Sequence, residues 1–403
     1  MRKLTKCVCC DGENLKLVLD LGSQPLANTL KKTQFETLPK YPLAINRCLD
    51  CGHIQLTHSV ERSKLFDNYN YVSGTTSTLK EYFEWFADFV VKSHYISVKS
   101  VLDIGCNDGS QLDAFKKHYV AETFGVEPAK NIANLVSKKS HRVENRYFDQ
   151  NFKFTIPITE SNLFDVIIAQ NVFAHNAHPL EFLKKCEEYM IPGSRLYIQT
   201  SQADMIKRNE FDTIYHEHIS FFCINSMARL LDRTNLKLVD VQKVPIHGNS
   251  YIFVIEKQKS HAPIIAQEIQ EEVLNGLFKD FTYNTYLHNI ETIKNELKMV
   301  LNMQSSFPLI GYGAAAKGMV VLNYLDIRPD FIIDDNPLKQ GMFTHNDVPI
   351  YSREYLKVNR HKEIIFIPLA WNFYDEIRQK IKEIRPDNND KFLTYFPKVT
   401  MSR

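Results

Sequence analysis

The sequence has no stretch of about 18 uncharged apolar residues, the length that a helix needs to span a membrane. Its N-terminus, MRKLTKCVCCDGENLK, carries basic residues but no apolar segment behind them, which argues against a signal peptide. The formal net charge is only +2, which is too balanced for attachment to nucleic acid or to anionic lipid. We therefore expect a cytoplasmic protein that has no nucleic-acid partner and no membrane partner.

The composition is ordinary for a folded protein, with 44% hydrophobic and 24% charged residues in a chain of 403. That length predicts about two to three domains. The exception is the cysteine content, because five of the eight cysteines lie within the first 51 residues. In a reducing cytosol, cysteines are free thiols or metal ligands more often than disulfides. The N-terminal cysteines therefore need a local explanation.

Two C-x2-C pairs account for four of these cysteines, namely Cys7 with Cys10 and Cys48 with Cys51. Two such pairs can present four thiolates as a tetrahedron, which suits Zn²⁺. Four thiolates leave no open position for water, so the prediction is a structural zinc ion rather than a catalytic one. Cys9 is predicted to point away from the metal. The alternative is a reduced hairpin that buries its cysteines.

A nucleotide-binding βα unit follows in the segment SVKSVLDIGCNDGSQLDAFKKH. A short apolar strand ends near Asp103, and Gly105 and Gly109 let the following loop approach a ligand. Glu127 ends the next predicted strand, where an acid can accept both ribose hydroxyls. Asn107 stands where a dinucleotide loop has its second glycine, which argues against a pyrophosphate. The pattern resembles the S-adenosylmethionine site of class I methyltransferases, and the alternative is a glycine-containing turn without a ligand.

Further apolar strands are predicted at 164–171, which ends in the candidate cofactor residue Asn171, and at 194–201. The class I resemblance places RYFDQNF over the adenine, so Phe148 or Tyr147 is expected to pack there. An ordinary core aromatic is the equal alternative at either position.

The segment FDTIYHEHISFF concentrates Tyr215, His216, Glu217 and His218 in four residues. It is not H-E-x-x-H, so a metalloprotease is not supported. Metal binding, structural histidines and general acid/base catalysis all remain open, and acid/base catalysis is favoured because imidazole titrates near neutrality. His175 is a second candidate, since it follows a strand end where ligands of open α/β sheets collect. Methylation of carbon needs a base to remove a C–H proton, and this cluster favours carbon.

These motifs together resemble the sugar C-methyltransferase family, the nucleotide-linked 4-ketosugar C-3-methyltransferases of branched deoxysugar biosynthesis. The matching pieces run from residue 7 to about 377 and include LGSQPLANTL, VLDIGCNDGS, NVFAHNAHP, FDTIYHEHISFF, HGNSY, GYGAAAKG, IDDNPLKQG and PLAWNF. The resemblance implies that His218 is the general base and that Tyr215 holds the sugar or the enolate oxygen. It also implies that His175 and Glu217 are polar members of the catalytic pocket.

A second glycine-bearing βα unit, FPLIGYGAAAKGMVVLNYL, opens the C-terminal part after a long helix-periodic bridge. A dinucleotide site is one interpretation of its glycines, with Asp334 or Asp335 as the ribose acid. The family resemblance implies instead that this part packs against the cleft and holds the sugar's nucleotide diphosphate near Lys317 and a helix N-terminus. Trp371 and Asn372 in the PLAWNF turn are interpreted as structural.

The expected architecture is α/β with three parts. They are a zinc-binding module at residues 1–75, a class I S-adenosylmethionine methyltransferase (Rossmann-like) domain at 76–256, and a helical bridge with a C-terminal Rossmann-like domain at 257–403. The residues expected to bind the nucleotide-sugar substrate are Tyr71, His216, His247, Asn249, Lys317, Asn336 and Lys339. The rival functions are O- or N-methylation of a nucleotide sugar and a non-catalytic zinc-containing binding protein. The assembly state stays open, a monomer being compatible with the sequence.

Overall fold

The computed structural model describes residues 1–67, 72–94, 97–159, 163–201, 204–358 and 363–403. Within these residues the strands form a two-stranded, a four-stranded, a six-stranded and a seven-stranded sheet. Helices accompany the two larger sheets, which confirms the predicted α/β class. No helix in the described part of the chain combines the length and the apolar character needed to cross a membrane.

The N-terminal part is built on a long antiparallel hairpin. Its elements are β1 (Arg2–Lys3), β2 (Leu15–Pro25), β3 (Lys40–Cys48), β4 (Ile54–Leu56), β5 (His58–Ser59) and α1 (Arg62–Phe66). β2 pairs with β3 in a register that sets Leu15 opposite Cys48. The loop before β2, with its cysteine pair, therefore meets the turn that follows β3, which carries the other pair. β2 also continues through Gly22, where the register shifts, because a β-bulge absorbs this glycine at φ +75°.

The middle part contains the seven-stranded sheet and the helices around it. Its elements are α2 (Ser77–Ser93), β6 (Ser100–Ile104), α3 (Ser110–Lys117), β7 (Glu122–Val126), α4 (Lys130–Val136), β8 (Arg142–Glu144), β9 (Phe164–Gln170), α5 (Pro179–Glu188), β10 (Met190–Ser201), α6 (Met205–Arg208), β11 (Ser220–Phe221), α7 (Ile224–Leu231), β12 (Leu236–Val244) and β13 (Ser250–Lys257). β6 is buried throughout and β9 nearly so, as expected for central parallel strands covered on both faces.

The strand order of this sheet defines where a ligand can bind. The order is β12-β13-β10-β9-β6-β7-β8, with β6 to β10 parallel, β13 antiparallel to β10, and β12 antiparallel to β13. The chain runs outward from β6 through β7 and β8, and it then returns to β9 on the other side of β6. Open α/β sheets bind ligands at the carboxyl ends of the strands where the order reverses in this way.

β11 belongs by sequence to the middle part but pairs with the N-terminal sheet. It lies antiparallel to β4, with Ser220 opposite Gln55, and it makes the four-stranded sheet β11-β4-β3-β2. The Tyr215–His218 loop directly precedes this strand. The N-terminal module therefore anchors the C-terminal end of that loop.

The C-terminal part contains the six-stranded sheet β16-β15-β14-β17-β18-β19, parallel except for β19. Its elements are α8 (Pro263–Leu274), α9 (Asp280–Met303), β14 (Leu309–Tyr312), α10 (Ala316–Leu325), β15 (Phe331–Ile333), β16 (Ile350–Tyr351), α11 (Tyr355–Val358), β17 (Ile365–Pro368), α12 (Tyr374–Ile384), β18 (Lys391–Thr394) and β19 (Thr400–Ser402).

One hydrophobic core joins the two ends of the chain. It contains Ile45 of β3, Tyr286 of α9 and Val321 of α10, all almost without exposed surface. Arg47 of β3 is buried under the bridge, with its guanidinium 4.1 Å from the ring centroid of Tyr283. The boundaries expected after residues 75 and 256 stay predictions, because β11 and this shared core tie all three parts together.

Candidate active site and metal centre

The four cysteines of the two C-x2-C pairs form a compact cluster at the open end of the β2–β3 hairpin. Their Sγ atoms all lie within 4.8 Å of one another, with 3.6 Å from Cys7 to Cys51 and 3.6 Å from Cys10 to Cys48. A tetrahedron of sulfurs about 2.3 Å from Zn²⁺ has S···S distances of about 3.8 Å. The donor set and its spacing therefore fit a structural zinc ion.

The environment of the cluster also favours a cation. Contacts with the thiols of Cys48 and Cys7, together with burial, raise the pKa of Cys51. A divalent cation reverses this effect, because it stabilises the thiolates that repel one another without it. Cys9 is buried beside the cluster, and its carbonyl oxygen accepts a hydrogen bond from Nη1 of Arg233 at 2.7 Å.

A cavity of about 680 Å³ lies at the carboxyl ends of the central strands of the seven-stranded sheet. All three parts of the chain contribute to its wall, for example Asn28, His175 and Lys317. The predicted site residues that line it are Asp103, Gly105, Asn107, Glu127, Phe148, Asn171, His175, Tyr215, His218, His247, Lys317 and Lys339. One cavity thus brings together residues predicted for the cofactor, for the chemistry and for the substrate.

The loop after β6 makes a close approach to its neighbours that requires glycine. Gly105 has φ +73°, and a Cβ atom added to it would lie 2.3 Å from Cγ2 of Val172. Glu127, at the end of β7, accepts the backbone N–H of Asn107 at 3.0 Å and that of Ala129 at 2.8 Å. These bonds hold the loop and the acid of the second strand in one fixed arrangement.

Two buried carboxyl groups give this end of the cavity its electrostatic character. Burial, with a further contribution from Glu127, raises the pKa of Asp103 to about 8. Burial likewise raises the pKa of Glu127 to about 7, although two backbone hydrogen bonds oppose the shift. A bound cation favours the ionised form of a neighbouring carboxyl group. The pocket therefore suits a positively charged nucleoside such as S-adenosylmethionine.

Phe148 belongs both to the hydrophobic core and to the cavity wall. Its ring centroid lies 4.8 Å from that of Phe152 and 5.2 Å from that of Phe182. Tyr147 also lines the cavity, and the guanidinium of Arg62 lies 4.2 Å above its ring. Phe148 is therefore both a core aromatic residue and part of the cavity wall.

His218 is held through both of its ring nitrogens. Nδ1 lies 2.8 Å from the carbonyl oxygen of Thr213, and Nδ1 must carry the proton because a carbonyl can only accept. Nε2 of the neutral ring then has the lone pair, and it accepts the hydroxyl of Tyr215 at 2.8 Å. Burial, followed by the neighbouring ring of His175, lowers the pKa of His218 well below its usual value. The ring is therefore neutral near pH 7, and its Nε2 can accept a proton.

Three family models match successive parts of the chain. They are described as "Putative zinc binding domain" over residues 7–66, "Methyltransferase domain" over residues 50–241 and "C-methyltransferase C-terminal domain" over residues 245–397. The C-methyltransferase NovU of Streptomyces niveus is 26% identical over 414 residues, which cover 98% of this chain and 96% of NovU. The chain is an S-adenosylmethionine-dependent C-methyltransferase. The resemblance drawn from the sequence motifs is confirmed at this level.

Other similar proteins cover less of this methyltransferase. Ubiquinone biosynthesis O-methyltransferase of Coxiella burnetii (strain RSA 493 / Nine Mile phase I) is 22% identical over 165 residues, 37% of this chain and 68% of that protein. The crystal structure of the plantazolicin methyltransferase BpumL superposes on 46% of this chain and on 87% of the BpumL chain, with 16% sequence identity and a TM-score of 0.37. The similarity over the full length is to a C-methyltransferase.

In this methyltransferase His175 lies in the short turn Phe173–His175 that follows β9. Its ring stacks between Phe66, at a centroid distance of 5.4 Å, and His218, at 5.3 Å. Burial lowers the pKa of His175 to about 4. Its Nε2 is buried without a hydrogen-bond partner among the described residues, so it is available to a polar group of a bound substrate.

Some predicted residues lie behind the cavity wall. Gly109 is the N-cap of α3, with φ +77°. Glu217 is buried and accepts a 2.6 Å hydrogen bond from Nδ2 of Asn28, a residue of the N-terminal module. His216 points to the same module, where its Nε2 donates to the carbonyl oxygen of Tyr41 at 3.2 Å. Among the described residues, the loop at 215–218 does not supply three side chains that could share a metal ion.

Two further predicted residues, Asn249 and Asn336, do not line the cavity. Asn249 ends a turn in which His247, Gly248 and Asn249 all have positive φ, at 56°, 88° and 86°. The backbone N–H of Asn336 donates to Oδ1 of Asp334 at 2.8 Å. Tyr71 lies outside the described residues.

The C-terminal part supplies two ammonium groups to the cavity. Nζ of Lys317, in the first turn of α10, donates to the carbonyl oxygen of His247 at 2.9 Å. Nζ of Lys339 donates to the carbonyl oxygen of Ala314 at 2.7 Å. An ammonium group has three donors, so each lysine keeps hydrogen-bonding capacity for an anionic ligand.

Several residues of the site were not among those predicted from the sequence. Asn28 and Phe66 line the cavity from the N-terminal module, and only the folding of that module against the sheet brings them there. Asn372, interpreted as structural, also lines the cavity. Its neighbour Trp371 donates its indole N–H to Oδ2 of Asp212 at 2.6 Å. The PLAWNF motif marks both residues, but their neighbours depend on tertiary packing.

Proposed function

We propose that this methyltransferase transfers the methyl group of S-adenosylmethionine to a carbon next to the ketone of a nucleotide-linked sugar. The position would be C-3 of a 4-keto-deoxysugar, as the family resemblance implies. Two findings support the proposal: the similarity to NovU extends over 98% of the chain, and a histidine base shares one cavity with the cofactor loop.

The arrangement of His218 carries the proposal. A C–H group beside a ketone is acidic enough to be deprotonated by a neutral imidazole that is well positioned. The bond from Nδ1 to Thr213 keeps the lone pair on Nε2, on the side where the Tyr215 hydroxyl lies. Methyl transfer to an oxygen that is already nucleophilic would need alignment alone, without such a base.

The hydroxyl of Tyr215 also takes part in the proposed mechanism. Without substrate its O–H donates to Nε2 of His218, so the lone pair of the base is occupied. A bound ketone offers a new acceptor, and the Tyr215 hydroxyl turns to the carbonyl oxygen as the proton passes from carbon to Nε2. The hydroxyl then stabilises the negative charge on the enolate oxygen. His175 lies beside the pair and is available for a further substrate hydroxyl.

The other end of the cavity holds the methyl donor. S-adenosylmethionine supplies an electrophilic methyl group, so the new C–C bond forms as the C–S bond breaks and its electron pair remains on the thioether sulfur. Asp103 and Glu127 bind and orient the nucleoside, and the loop at Gly105 and Asn107 fixes its distance from the base. Alignment of donor and carbanion then supplies much of the acceleration.

Lys317 and Lys339 are proposed to bind the diphosphate of the nucleotide. Both line the cavity on the C-terminal side, and α10, a helix of 10 residues, directs its N-terminal N–H groups to the same region. A few local cations are sufficient to hold a small anion on a protein whose net charge is only +2.

Solvent exchange tests the proposal directly. A panel of nucleotide ketosugars is incubated with the enzyme and S-adenosylhomocysteine in D2O, and deuterium at the carbon beside the ketone is measured by NMR. The wild-type enzyme should exchange this position and, with S-adenosylmethionine, methylate the same carbon. His218→Ala should lose both activities, while His288→Ala, on an exposed face of α9, should retain them. Methyl on oxygen or nitrogen without exchange would refute the proposal, as would ligand binding without turnover of any sugar in the panel.

A further inference from the structure

Asp212 and Trp371 form a hydrogen bond between the middle and C-terminal parts of the chain. The indole N–H donates to Oδ2 of Asp212 at 2.6 Å, although the two residues are 159 positions apart. Asp212 has no exposed surface. Trp371 lies in the turn Trp371–Phe373, whose neighbours Ala370 and Asn372 both line the cavity.

The hydrogen bond between Asp212 and Trp371 is connected to His218 through the backbone. Asp212 is followed directly by Thr213, and the Thr213 carbonyl is the acceptor that keeps the proton on Nδ1 of His218. If that carbonyl moved, Nδ1 would lose its 2.8 Å hydrogen bond. The other oxygen that the structure describes near Nδ1 is the Thr213 hydroxyl, at 3.5 Å. The tautomer of His218 therefore depends on the placement of the peptide next to Asp212.

A carboxylate in this position has an energetic cost, because an ionised group loses its hydration on burial. Burial raises the pKa of Asp212, whereas Lys317 and the bond from Trp371 lower it. Lys317 is close to the pair, with its Nζ 4.9 Å above the ring of Trp371. Gly248 completes the packing, since a Cβ atom there would lie 2.9 Å from Nζ of Lys317 and 3.0 Å from the ring of Trp371. The pair thus occupies a closely packed site beside the Lys317 ammonium group.

We propose that Asp212 and Trp371 are positioning residues for His218. Their bond fixes the Thr213 carbonyl and so keeps the lone pair of His218 on Nε2. Through Trp371 the C-terminal part of the chain contributes to proton abstraction as well as to substrate binding. This inference rests on the proposed role of His218 as the base.

Trp371→Phe tests the inference, because it removes the indole donor and keeps an aromatic ring against Phe396, whose centroid lies 5.6 Å away. The chain has only two tryptophans, so Trp85→Phe, on a half-exposed part of α2, is the matched control. For Trp371→Phe we expect kcat and the rate of deuterium exchange to fall by the same factor, roughly 10- to 100-fold. KM for S-adenosylmethionine should stay unchanged, because the contacts that the structure describes for Trp371 are with Asp212, Lys317 and Phe396 and not with the loop after β6. Wild-type kcat in Trp371→Phe would overturn the inference.

The acid limb of the kcat/KM profile for the ketosugar, measured with S-adenosylmethionine saturating, distinguishes positioning from a general loss of structure. The hydrogen bond to Thr213 raises the pKa of His218, so its loss should move the acid limb to lower pH. A loosened site would instead admit water and move the limb toward the usual value for histidine. The titratable groups that face His218 are Tyr215, His175, His247 and Lys317, and the variant retains all of them. An unchanged limb, or a shift to higher pH, would overturn the inference.

Asp212→Asn gives a second test if Trp371→Phe does not fold. Its amide oxygen can still accept the indole N–H, so kcat should stay within a few-fold of the wild type, whereas Asp212→Leu should lose activity. Equal losses in the two variants would overturn the inference. The wild-type exchange experiment keeps the two proposals apart. If the wild type does not exchange, the proposed function fails; if it exchanges and Trp371→Phe behaves like the wild type, the positioning role alone fails.

Discussion

The affinity of this methyltransferase for S-adenosylmethionine should rise with pH, because the cofactor pocket favours the neutral form of Asp103. This side chain is 4% exposed, and burial followed by the charge of Glu127 raises its pKa to about 8. The ligand carries positive charge, so it binds the ionised carboxylate more tightly than the neutral acid. Binding therefore releases a proton from the protein over the range in which Asp103 is protonated.

The size of the effect follows from the pKa. With a value of about 8, Asp103 is about 3% ionised at pH 6.5 and about 76% ionised at pH 8.5, a ratio of about 25. If only the ionised form binds, Kd falls about 25-fold between these pH values, which corresponds to about 1.9 kcal/mol. Glu127, with a pKa of about 7, adds a rise of about fourfold over the same range.

Isothermal titration calorimetry across this pH range measures the effect. The amino group of the ligand titrates in the same range, so the decisive quantity is the pH dependence of the ratio of Kd values for the wild type and Asp103→Asn. Between pH 6.5 and pH 8.5 the Kd of the variant should lose the 25-fold change that comes from Asp103 and retain the smaller change that comes from Glu127. Titrations at pH 7.5 in buffers of different ionisation enthalpy should detect about 0.8 proton released from Asp103 in the wild type. A ratio that does not change with pH would refute the reasoning.

Gly105→Ala should abolish cofactor binding and lower the melting temperature, because it combines a left-handed φ, which costs about 1–2 kcal/mol, with a methyl group 2.3 Å from Val172. Purified wild-type protein should contain one zinc ion per chain by elemental analysis, and Cys48→Ser should lose zinc and unfold at lower temperature, since a tetrathiolate site contributes to folding. Lys317→Met should move the acid limb of kcat/KM for the ketosugar, at saturating S-adenosylmethionine, to higher pH, because it removes a positive charge that lowers the pKa of His218.

Matched variants make these results specific. Gly193→Ala has a similar φ of +87° and no atom within 4 Å of the added Cβ, so it should show the backbone cost without loss of cofactor binding. Cys186→Ala removes a buried thiol of α5 and should retain full zinc content. Equal defects in Gly105→Ala and Gly193→Ala, zinc retained in Cys48→Ser, or an acid limb unmoved in Lys317→Met would each contradict the corresponding argument.

The cysteine pairs and the cofactor loop are predictable because their information is local. In C-x2-C both thiols belong to one tight turn, and in the βα unit a strand, a glycine loop and a helix follow one another within about 17 residues of chain, as the βα arrangement requires. Two such pairs therefore predict a four-cysteine site from spacing alone, and the four thiols do form the cluster. The loop at Asp103, Gly105 and Asn107 likewise lines the predicted end of the sheet.

The neighbours of the histidine loop are not predictable in this way. Its composition leaves metal binding, structural histidines and acid/base catalysis open, and the resemblance to a family is needed to select a base. Hydrogen bonds distinguish the members of the loop: His218 faces the cavity, whereas His216 and Glu217 contact Tyr41 and Asn28 of the N-terminal module. Spacing along the chain contains no information about which of two adjacent side chains will face a cavity, unless the strand or helix period is known.

Local pattern thus predicted the two cysteine pairs that form one cluster, the glycine loop that lines the cavity and the α/β class, because each depends on backbone geometry over a few residues. Tertiary structure alone decided that β11 joins the sheet of the zinc module, that Asn28 meets Glu217, and that Trp371 meets Asp212. The last two contacts join residues 189 and 159 positions apart. Such contacts follow from which surfaces bury one another once the three parts pack, and no short segment of the chain contains both partners.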